Sequence, residues 1–212
     1  MAAEVKICGL STAETLEAAL AAGADFVGLM FFAKSPRHVS LGTARQLADL
    51  ARGRARIVTV TVDADDALMA GIAAEVKPDF IQCHGAEPPE RLAAITATHG
   101  IAAYKVLKVR EPGHVARAQA YAGVSPFVMF DALPPEGAVL PGGNGLAFDW
   151  TILAGAPRPF MLAGGLTPEN VAEAIRVTGA AMVDVSSGVE SAPGIKDVAR
   201  IRKFVEAAKR GG

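Results

Sequence analysis

Short apolar runs alternate with longer segments of helical periodicity along almost the whole chain. Most of the runs are rich in β-branched or aromatic residues, which is typical of parallel strands buried on both faces. Eight of them occur, at residues 5–8, 25–32, 55–62, 80–82, 101–107, 127–130, 160–162 and 182–185. A segment with helical spacing follows each run, at residues 12–22, 43–52, 65–75, 89–98, 113–121, 149–154, 168–178 and 195–209. The pattern therefore predicts eight strand–helix units.

The order of these units indicates the fold class. Strands separated by helices run parallel, because each crossover returns the chain to the same end of the sheet. Eight such units are the number that closes a (β/α)8 barrel, and no shift in composition marks a domain boundary. The sequence thus predicts an α/β protein with a single (β/α)8 barrel domain over residues 1–212. A doubly wound open sheet is the second interpretation of the same pattern.

Punctuation residues define several boundaries. Ser11 or Thr12 is suited to cap the first helix, and Gly23 is suited to end it. A long segment rich in glycine and proline, residues 132–146, follows the sixth strand. A chain of 212 residues is short for a barrel, so its loops must carry the function. We therefore expect this segment to act as a lid over the site.

Composition narrows the class of protein. A hydrophobic content of 51% excludes general disorder, and a net charge of −1 without a basic stripe argues against a nucleic-acid partner. No apolar run reaches the roughly 18 residues of a membrane helix, and the N-terminus lacks a secretory pattern. Two cysteines are too few for a disulfide framework. We expect a cytoplasmic protein with neither a nucleic-acid nor a membrane partner.

Glycine-rich turns follow the last two predicted strands. Gly164 and Gly165 would let the backbone approach an anion closely, and the helix start after them offers free N–H groups. Ser186, Ser187 and Gly188 add N–H and hydroxyl donors after the eighth strand. Because the loops after strands seven and eight are the usual phosphate site of a barrel, the two turns together predict phosphate binding. Either turn alone is equally consistent with a tight turn and a helix cap.

Two strand ends carry groups able to transfer protons. Cys8 ends the first strand, where a thiol of lowered pKa could act as a base, although a free cysteine is more often a small buried hydrophobe. Asp131 follows an apolar run, where a carboxylate fits a general acid or, alternatively, a turn. Cys83 is expected to point into the packing around the barrel. Arg37, in the loop after the second strand, could bind a carboxylate in a bidentate manner.

With these strand ends the chain resembles the phosphoribosylanthranilate isomerases, the (β/α)8-barrel enzymes of tryptophan biosynthesis. The resemblance spans essentially the whole chain. It rests on seven motifs in the same order: Lys6-Ile7-Cys8-Gly9-Leu10, Ser35-Pro36-Arg37, Gln82-Cys83-His84-Gly85, Asp131-Ala132, Gly142-Gly143-Asn144-Gly145 with Phe148-Asp149-Trp150, Leu162-Ala163-Gly164-Gly165-Leu166, and Asp184-Val185-Ser186-Ser187-Gly188-Val189-Glu190 with Pro193-Gly194. Two positions depart from the family pattern. Cys83 stands where leucine is usual, and Asn144 stands where threonine is usual and could alter loop closure.

The resemblance implies an Amadori rearrangement of N-(5'-phosphoribosyl)anthranilate to 1-(2-carboxyphenylamino)-1-deoxyribulose 5-phosphate. It implies Asp131 as the general acid at the ribose ring oxygen, Cys8 as the thiolate base at C2, and Arg37 as the ligand of the anthranilate carboxylate. The other substrate contacts that we expect are Gln82, His84 and Asp184, with Gly164, Gly165, Ser186, Ser187 and Gly188 at the phosphate. The substrate nitrogen supplies the electrons, so no metal or organic cofactor is expected, and no residue cluster has metal-ligand spacing.

Other functions on the same scaffold stay open at this level. The related histidine-pathway isomerase carries Asp where Cys8 stands, and an internal repeat would be expected there. A pentose-phosphate epimerase needs paired His and Asp metal ligands, and indole-glycerol-phosphate synthase is longer and uses lysines and glutamates, whereas here Lys105 ends strand five. A non-catalytic phosphate binder needs neither Cys8 nor Asp131. The sequence is compatible with a monomer and with a homodimer.

Overall fold

The computed structural model describes residues 2–133 and 148–211 of the chain. Eight parallel strands close into one barrel, in which strands pair in chain order and β1 pairs with β8. The strands are β1 (Glu4–Cys8), β2 (Phe26–Phe31), β3 (Arg56–Thr61), β4 (Phe80–Cys83), β5 (Ala102–Val109), β6 (Val128–Ala132), β7 (Phe160–Leu162) and β8 (Met182–Val185). All eight strands predicted from the apolar pattern are present, and the closed barrel is confirmed over the open sheet.

Helical segments connect the strands. The α-helices are α1 (Ala13–Ala22), α2 (Leu41–Ala51), α3 (Asp66–Gly71), α4 (Pro89–His99), α5 (Pro112–Val115), α6 (Val171–Thr178) and α7 (Val198–Arg210). A π-helical turn follows α3 at Ile72–Val76, and 3-10 turns lie at Ala116–Tyr121, Trp150–Leu153 and Ser187–Val189. Among the described residues, no helix combines the length and the apolar character needed to cross a membrane.

The first helix begins and ends at two of the residues that the sequence singled out. Thr12 Oγ1 accepts a hydrogen bond from the Thr15 N–H at 3.3 Å, so Thr12 rather than Ser11 is the N-cap. Gly23 follows the last helical residue with φ of 90°, a left-handed conformation that glycine adopts without strain. The helix is therefore defined locally at both ends.

Two helices begin later than their periodicity predicts. The sequence predicts that α6 starts at residue 168, but the Asn170 side chain accepts the Thr167 N–H at 2.8 Å and donates to the Gly165 carbonyl at 2.9 Å. Residues 167–170 therefore form a separate turn, and the helix begins at Val171. The sequence predicts that α7 starts at residue 195. Instead, the short strand β10 (Ile195–Lys196) pairs antiparallel with the short strand β9 (Glu190–Ala192).

Two further predictions concern the segments on either side of β6. Strand β5 extends to Val109, so Lys105 lies within it and not at its end. The predicted lid, residues 132–146, falls outside the described residues from residue 134 onward, and so does Asn144.

Apolar side chains fill the lower interior of the barrel. The cluster comprises Phe26, Val58, Tyr104, Val106, Met129, Met161, Ala163 and Met182. Successive side chains of a strand point to opposite faces, so residues two positions further along point toward the C-terminal mouth. That rule directs Gln82, Lys108, Asp131 and Asp184 toward the mouth, and Cys8 joins them as the register partner of Gly28, two residues after Phe26. A second apolar cluster, which includes Ile7, Val27 and Cys83, packs on the other face of the strands.

Candidate active site

A chain of polar side chains runs from the apolar interior to the mouth of the barrel. The Tyr104 hydroxyl donates to Gln82 Oε1 at 2.7 Å, and Gln82 Nε2 lies 3.0 Å from His84 Nδ1. Because Oε1 accepts from the tyrosine, the amide nitrogen donates and His84 Nδ1 accepts. The hydrogen of a neutral imidazole is then on Nε2, which lies 3.3 Å from Asp131 Oδ2 but is not aligned for a hydrogen bond. Three of the predicted site residues, Gln82, His84 and Asp131, are thus brought together.

The Asp131 carboxyl is buried and held from a second side. Its Oδ1 atom accepts the N–H of Ala132 at 2.9 Å. The turn after β7 faces this carboxyl and has glycine at position 164. A Cβ there would lie 2.4 Å from the Ala132 nitrogen and 3.0 Å from Asp131 Oδ1. Gly164 also has φ of 87°, a conformation that side chains disfavour. Glycine at this position lets the turn after β7 pack directly against the carboxyl.

The two cysteines lie on opposite faces of the barrel wall. Cys8 is 4% exposed and shares the lumen face of β1 with Lys6. Burial raises the pKa of its thiol, and the Lys6 and Lys196 ammonium groups act in the opposite direction. Cys83 packs in the outer apolar cluster, where burial raises the pKa of its thiol to about 12. The predicted packing of Cys83 is confirmed.

The turns after β7 and β8 form one continuous surface. A Cβ at Gly188 would lie 1.9 Å from the Leu166 carbonyl oxygen, so the two turns are in direct contact. Ser186 Oγ donates to the Cys8 carbonyl at 3.2 Å, which attaches the β8 turn to the end of β1. Within the described part of the chain, the backbone N–H groups of Gly164, Gly165, Ser187 and Gly188 have no hydrogen-bond acceptor. Unpartnered N–H groups on a close-packed glycine surface are suited to an anion.

Asp184 lies one strand away from Cys8, within the barrel. Its Oδ1 atom pairs with Lys6 Nζ at 2.8 Å, and both side chains are buried. The predicted contact of Asp184 with substrate stays a prediction, because the contact that the structure describes is with Lys6.

Arg37 lies at the mouth in a buried ion pair. Its Nε atom donates to Glu190 Oε1 and its Nη2 atom donates to Glu190 Oε2, both at 2.7 Å, which is a bidentate arrangement. Lys196 Nζ also lies 2.8 Å from Glu190. A Cβ at Gly9 would lie 2.7 Å from Arg37 Cδ, so the arginine packs directly on the turn after Cys8. Its predicted contact with a substrate carboxylate stays a prediction.

Sequence reasoning missed three charged residues near the site. Lys6 is fully buried below Cys8, and its place in an apolar run with period-two alternation could have revealed it. Lys108 is the register partner of Asp131 on the neighbouring strand, and burial lowers the pKa of its ammonium. Glu190 is the partner of Arg37, which no local pattern predicts. Lys105, by contrast, forms an ion pair outside this group of residues, with its Nζ atom 2.7 Å from Oε2 of Glu87.

The chain matches the family model described as N-(5'phosphoribosyl)anthranilate (PRA) isomerase over residues 5–207. An N-(5'-phosphoribosyl)anthranilate isomerase from Rhodopseudomonas palustris is 54% identical over 211 residues, covering 99% of this chain and 97% of that protein. One from Paramagnetospirillum magneticum is 50% identical and covers 100% and 99%.

Solved structures agree with these relatives. The phosphoribosyl anthranilate isomerase of Thermotoga maritima superposes with a TM-score of 0.88 at 34% identity, covering 98% of this chain and 99% of that chain. A phosphoribosyl anthranilate isomerase in complex with reduced 1-(o-carboxyphenylamino)-1-deoxyribulose 5-phosphate gives 0.85 at 32% identity, with the same coverage. The resemblance seen in the motifs is therefore confirmed, and the chain belongs to the N-(5'-phosphoribosyl)anthranilate isomerase family, the aldose–ketose isomerases of tryptophan biosynthesis.

Proposed function

We propose that this protein converts N-(5'-phosphoribosyl)anthranilate to 1-(2-carboxyphenylamino)-1-deoxyribulose 5-phosphate with Asp131 as general acid and Cys8 as general base. The observation that carries the assignment is the placement of these two buried groups. They lie at the C-terminal ends of β6 and β1, three strands apart around the barrel, and both belong to the mouth-facing set. A sugar bound between them is exposed to an acid on one side and a base on the other.

The first step opens the ribose ring. Asp131 gives its proton to the ring oxygen while the C1–O bond breaks and the anthranilate nitrogen lone pair forms a C=N bond to C1. The hydrogen bond from the Ala132 N–H fixes Oδ1 of the carboxyl, and His84 Nε2 lies 3.3 Å from Oδ2. Gln82 donates to Nδ1 of His84 and so orients the imidazole beside Asp131. Gln82 and His84 therefore support the acid, and both are also candidates for direct contact with the substrate.

The second step moves a proton from carbon. The Cys8 thiolate takes the C2 proton, the C–H electrons form a C1=C2 bond, and the iminium nitrogen regains its lone pair. The enolamine then becomes the ketone as the C2 hydroxyl loses its proton to solvent and C1 takes a proton from solvent. Proton exchange with solvent returns Cys8 to the thiolate and Asp131 to the acid. The substrate nitrogen supplies electrons in the first step and takes them back in the second, so the described residues need only bind, orient and move protons.

Two anionic ends hold the substrate in place during these steps. The backbone N–H groups of Gly164, Gly165, Ser187 and Gly188 are assigned to the phosphate, and Ser186 holds their loop against Cys8. Arg37 is assigned to the anthranilate carboxylate, with Glu190 fixing the plane of its guanidinium. Fixing both ends lowers the entropic part of the barrier, because the opening sugar stays between acid and base.

We further propose that residues 1–212 act as one barrel domain in the cytoplasm, on a phosphorylated small molecule and without a cofactor. The phosphoribosylanthranilate isomerase of Thermotoga maritima is dimeric, and monomers generated from it have been crystallised. Light scattering of the purified protein decides between a monomer and a homodimer for this chain.

The direct test is the isomerase assay with a chelator present, which follows the loss of fluorescence of the anthranilate substrate. We expect turnover that the chelator leaves unchanged. A pure, folded protein that binds the phosphorylated substrate without isomerising it contradicts the proposal and favours a non-catalytic binder.

A further inference from the structure

A fully buried ion pair lies inside the barrel directly below the mouth. Lys6 is 0% exposed and its Nζ atom lies 2.8 Å from Oδ1 of Asp184, which is 6% exposed. The proton transfers proposed above use neither residue. Replacing a buried pair by apolar side chains of similar size is often neutral or stabilising, so stability alone gives little reason for this pair.

The position of Gly28 shows how close Lys6 comes to Cys8. Gly28 pairs with Cys8 in the strand register, and a Cβ at Gly28 would lie 2.9 Å from the Cys8 sulfur and 3.1 Å from Lys6 Nζ. The sulfur and the ammonium are therefore at most about 6 Å apart, which is within the range where an opposite charge favours an ionised group. The missing side chain at Gly28 leaves the space between them open.

We propose that Lys6, held in place by Asp184, is a positioning residue that stabilises Cys8 as the thiolate required for proton removal from C2. The inference rests on the proposed role of Cys8 as base. Lys6 does not touch the reacting carbon, because it lies one layer deeper in the barrel than the sulfur. Its part is to offset the cost of forming a thiolate in a buried site.

The surrounding charges support this arrangement. Burial is the largest influence on the Cys8 pKa and raises it, and Lys6 is the strongest group that lowers it. Asp184 raises the thiol pKa and Lys196 lowers it, while Arg37 and Tyr104 also lie within electrostatic range of the sulfur. Burial lowers the pKa of Lys6 itself, but Asp184, Cys8 and Tyr104 together raise it above its usual value, so Lys6 stays an ammonium.

The test is a titration of the thiolate by its ultraviolet absorbance in a Cys83→Ala background, where Cys8 is the sole cysteine. Lys6→Met should move the Cys8 titration upward by about 1–3 pH units, the effect of removing a close opposite charge. Asp184→Asn should move it downward, because the competing anion is gone. The low-pH limb of kcat/KM should shift in the same directions as the titration.

A matched control separates charge from damage. Lys105→Met removes another buried lysine from an ion pair, that with Glu87, and should leave the Cys8 titration in place. Lys6→Arg keeps the charge and should stay close to the wild-type titration. If Lys6→Met fails to fold, Lys6→Met combined with Asp184→Asn removes both charges and should still titrate above the wild type, because Lys6 is the stronger of the two influences.

The outcomes bear on the two proposals separately. An unchanged titration in Lys6→Met, or in the double variant, overturns the role of Lys6 whatever the activity. Equal upward shifts in Lys6→Met and Asp184→Asn overturn it as well, since they indicate general damage to the barrel. Full activity of Cys8→Ala instead rejects Cys8 as the base, and the titration still reports whether Lys6 acts on the thiol.

Discussion

At the scale of single residues, the face of a strand decides what a cysteine can do. Cys8 points to the mouth beside two ammonium groups, whereas Cys83 packs between the barrel and its helices. We expect Cys8→Ala and Asp131→Ala each to lower turnover by about 10²–10⁴-fold, the contribution of a positioned base or acid. Cys83→Ala is the control and should keep most of the activity. Steady-state kinetics with wild-type turnover in either site variant would reject the role assigned to that residue.

The Arg37 guanidinium has two partners to satisfy, one in the protein and one in the proposed substrate. Arg37→Ala should raise KM more than it lowers kcat, because it removes a contact made before and during the reaction. It should also destabilise the fold by about 3 kcal/mol, since Glu190 stays buried; Lys196 limits the loss. Kinetics and urea unfolding measure the two effects. A fall confined to kcat would argue against the carboxylate contact.

Residue-level reasoning from the sequence reached Cys8, Asp131 and the glycine turns because each shows locally, as a polar or flexible residue that ends an apolar run. It named Asp184 and Arg37 but did not predict the ion pairs of Asp184 with Lys6 and of Arg37 with Glu190. These partners are 178 and 153 residues apart, and only the register of the closed barrel brings them together. An ion pair between distant strands leaves no local pattern.

At the scale of secondary structure elements, periodicity predicted the strands better than the helix starts. Strand segments are set by runs of apolar residues buried on both faces, and those runs are visible in the sequence. The start of α7 was placed early because Ile195 fits a helical stripe, yet it is 60% exposed and belongs to β10. The spacing of hydrophobic residues predicts neither a short hairpin nor a turn held by a polar side chain, such as that of Asn170.

The contact between the turns after β7 and β8 gives a test at the same scale. A Cβ at Gly188 would lie 1.9 Å from the Leu166 carbonyl oxygen, so Gly188→Ala must push the two turns apart. We expect KM for the phosphorylated substrate to rise and inhibition by inorganic phosphate to weaken. Gly42→Ala, in α2, is the control, since a Cβ there has no neighbour closer than 3.9 Å. If both variants bind phosphate alike, the turns do not form the anion site.

At the scale of the whole molecule, buried ion pairs connect distant parts of the chain. The ion pair of Lys6 with Asp184 joins β1 to β8, where the barrel closes. The ion pair of Glu87 with Lys105 joins the loop before α4 to β5. Glu87 Oε1 also accepts the N–H groups of Asp63 at 2.9 Å and Gly85 at 3.1 Å. Such buried carboxylates make the stability of the fold depend on pH.

The sign of that dependence follows from Glu87. Burial raises the pKa of its carboxyl, but Lys105 and the backbone N–H groups outweigh burial and hold the pKa below its ordinary value of 4.5. Glu87 therefore contributes stability above pH 4.5, and that contribution is lost as the pH falls through the lower pKa of the folded state. Glu190, between Arg37 and Lys196, has a lowered pKa for the same reason and acts in the same direction.

Urea unfolding at a series of pH values measures this effect. We expect the free energy of unfolding of the wild type to fall steadily as the solution is acidified below pH 4.5. Glu87→Gln should be less stable at neutral pH, because Lys105 loses its charged partner, yet it should lose less stability on acidification. The two curves then converge toward low pH, where the wild-type carboxyl is protonated as well. Parallel curves over the whole range would mean that Glu87 has the same pKa in the folded and unfolded chains, and that its ion pair with Lys105 adds nothing to the acid sensitivity of the barrel.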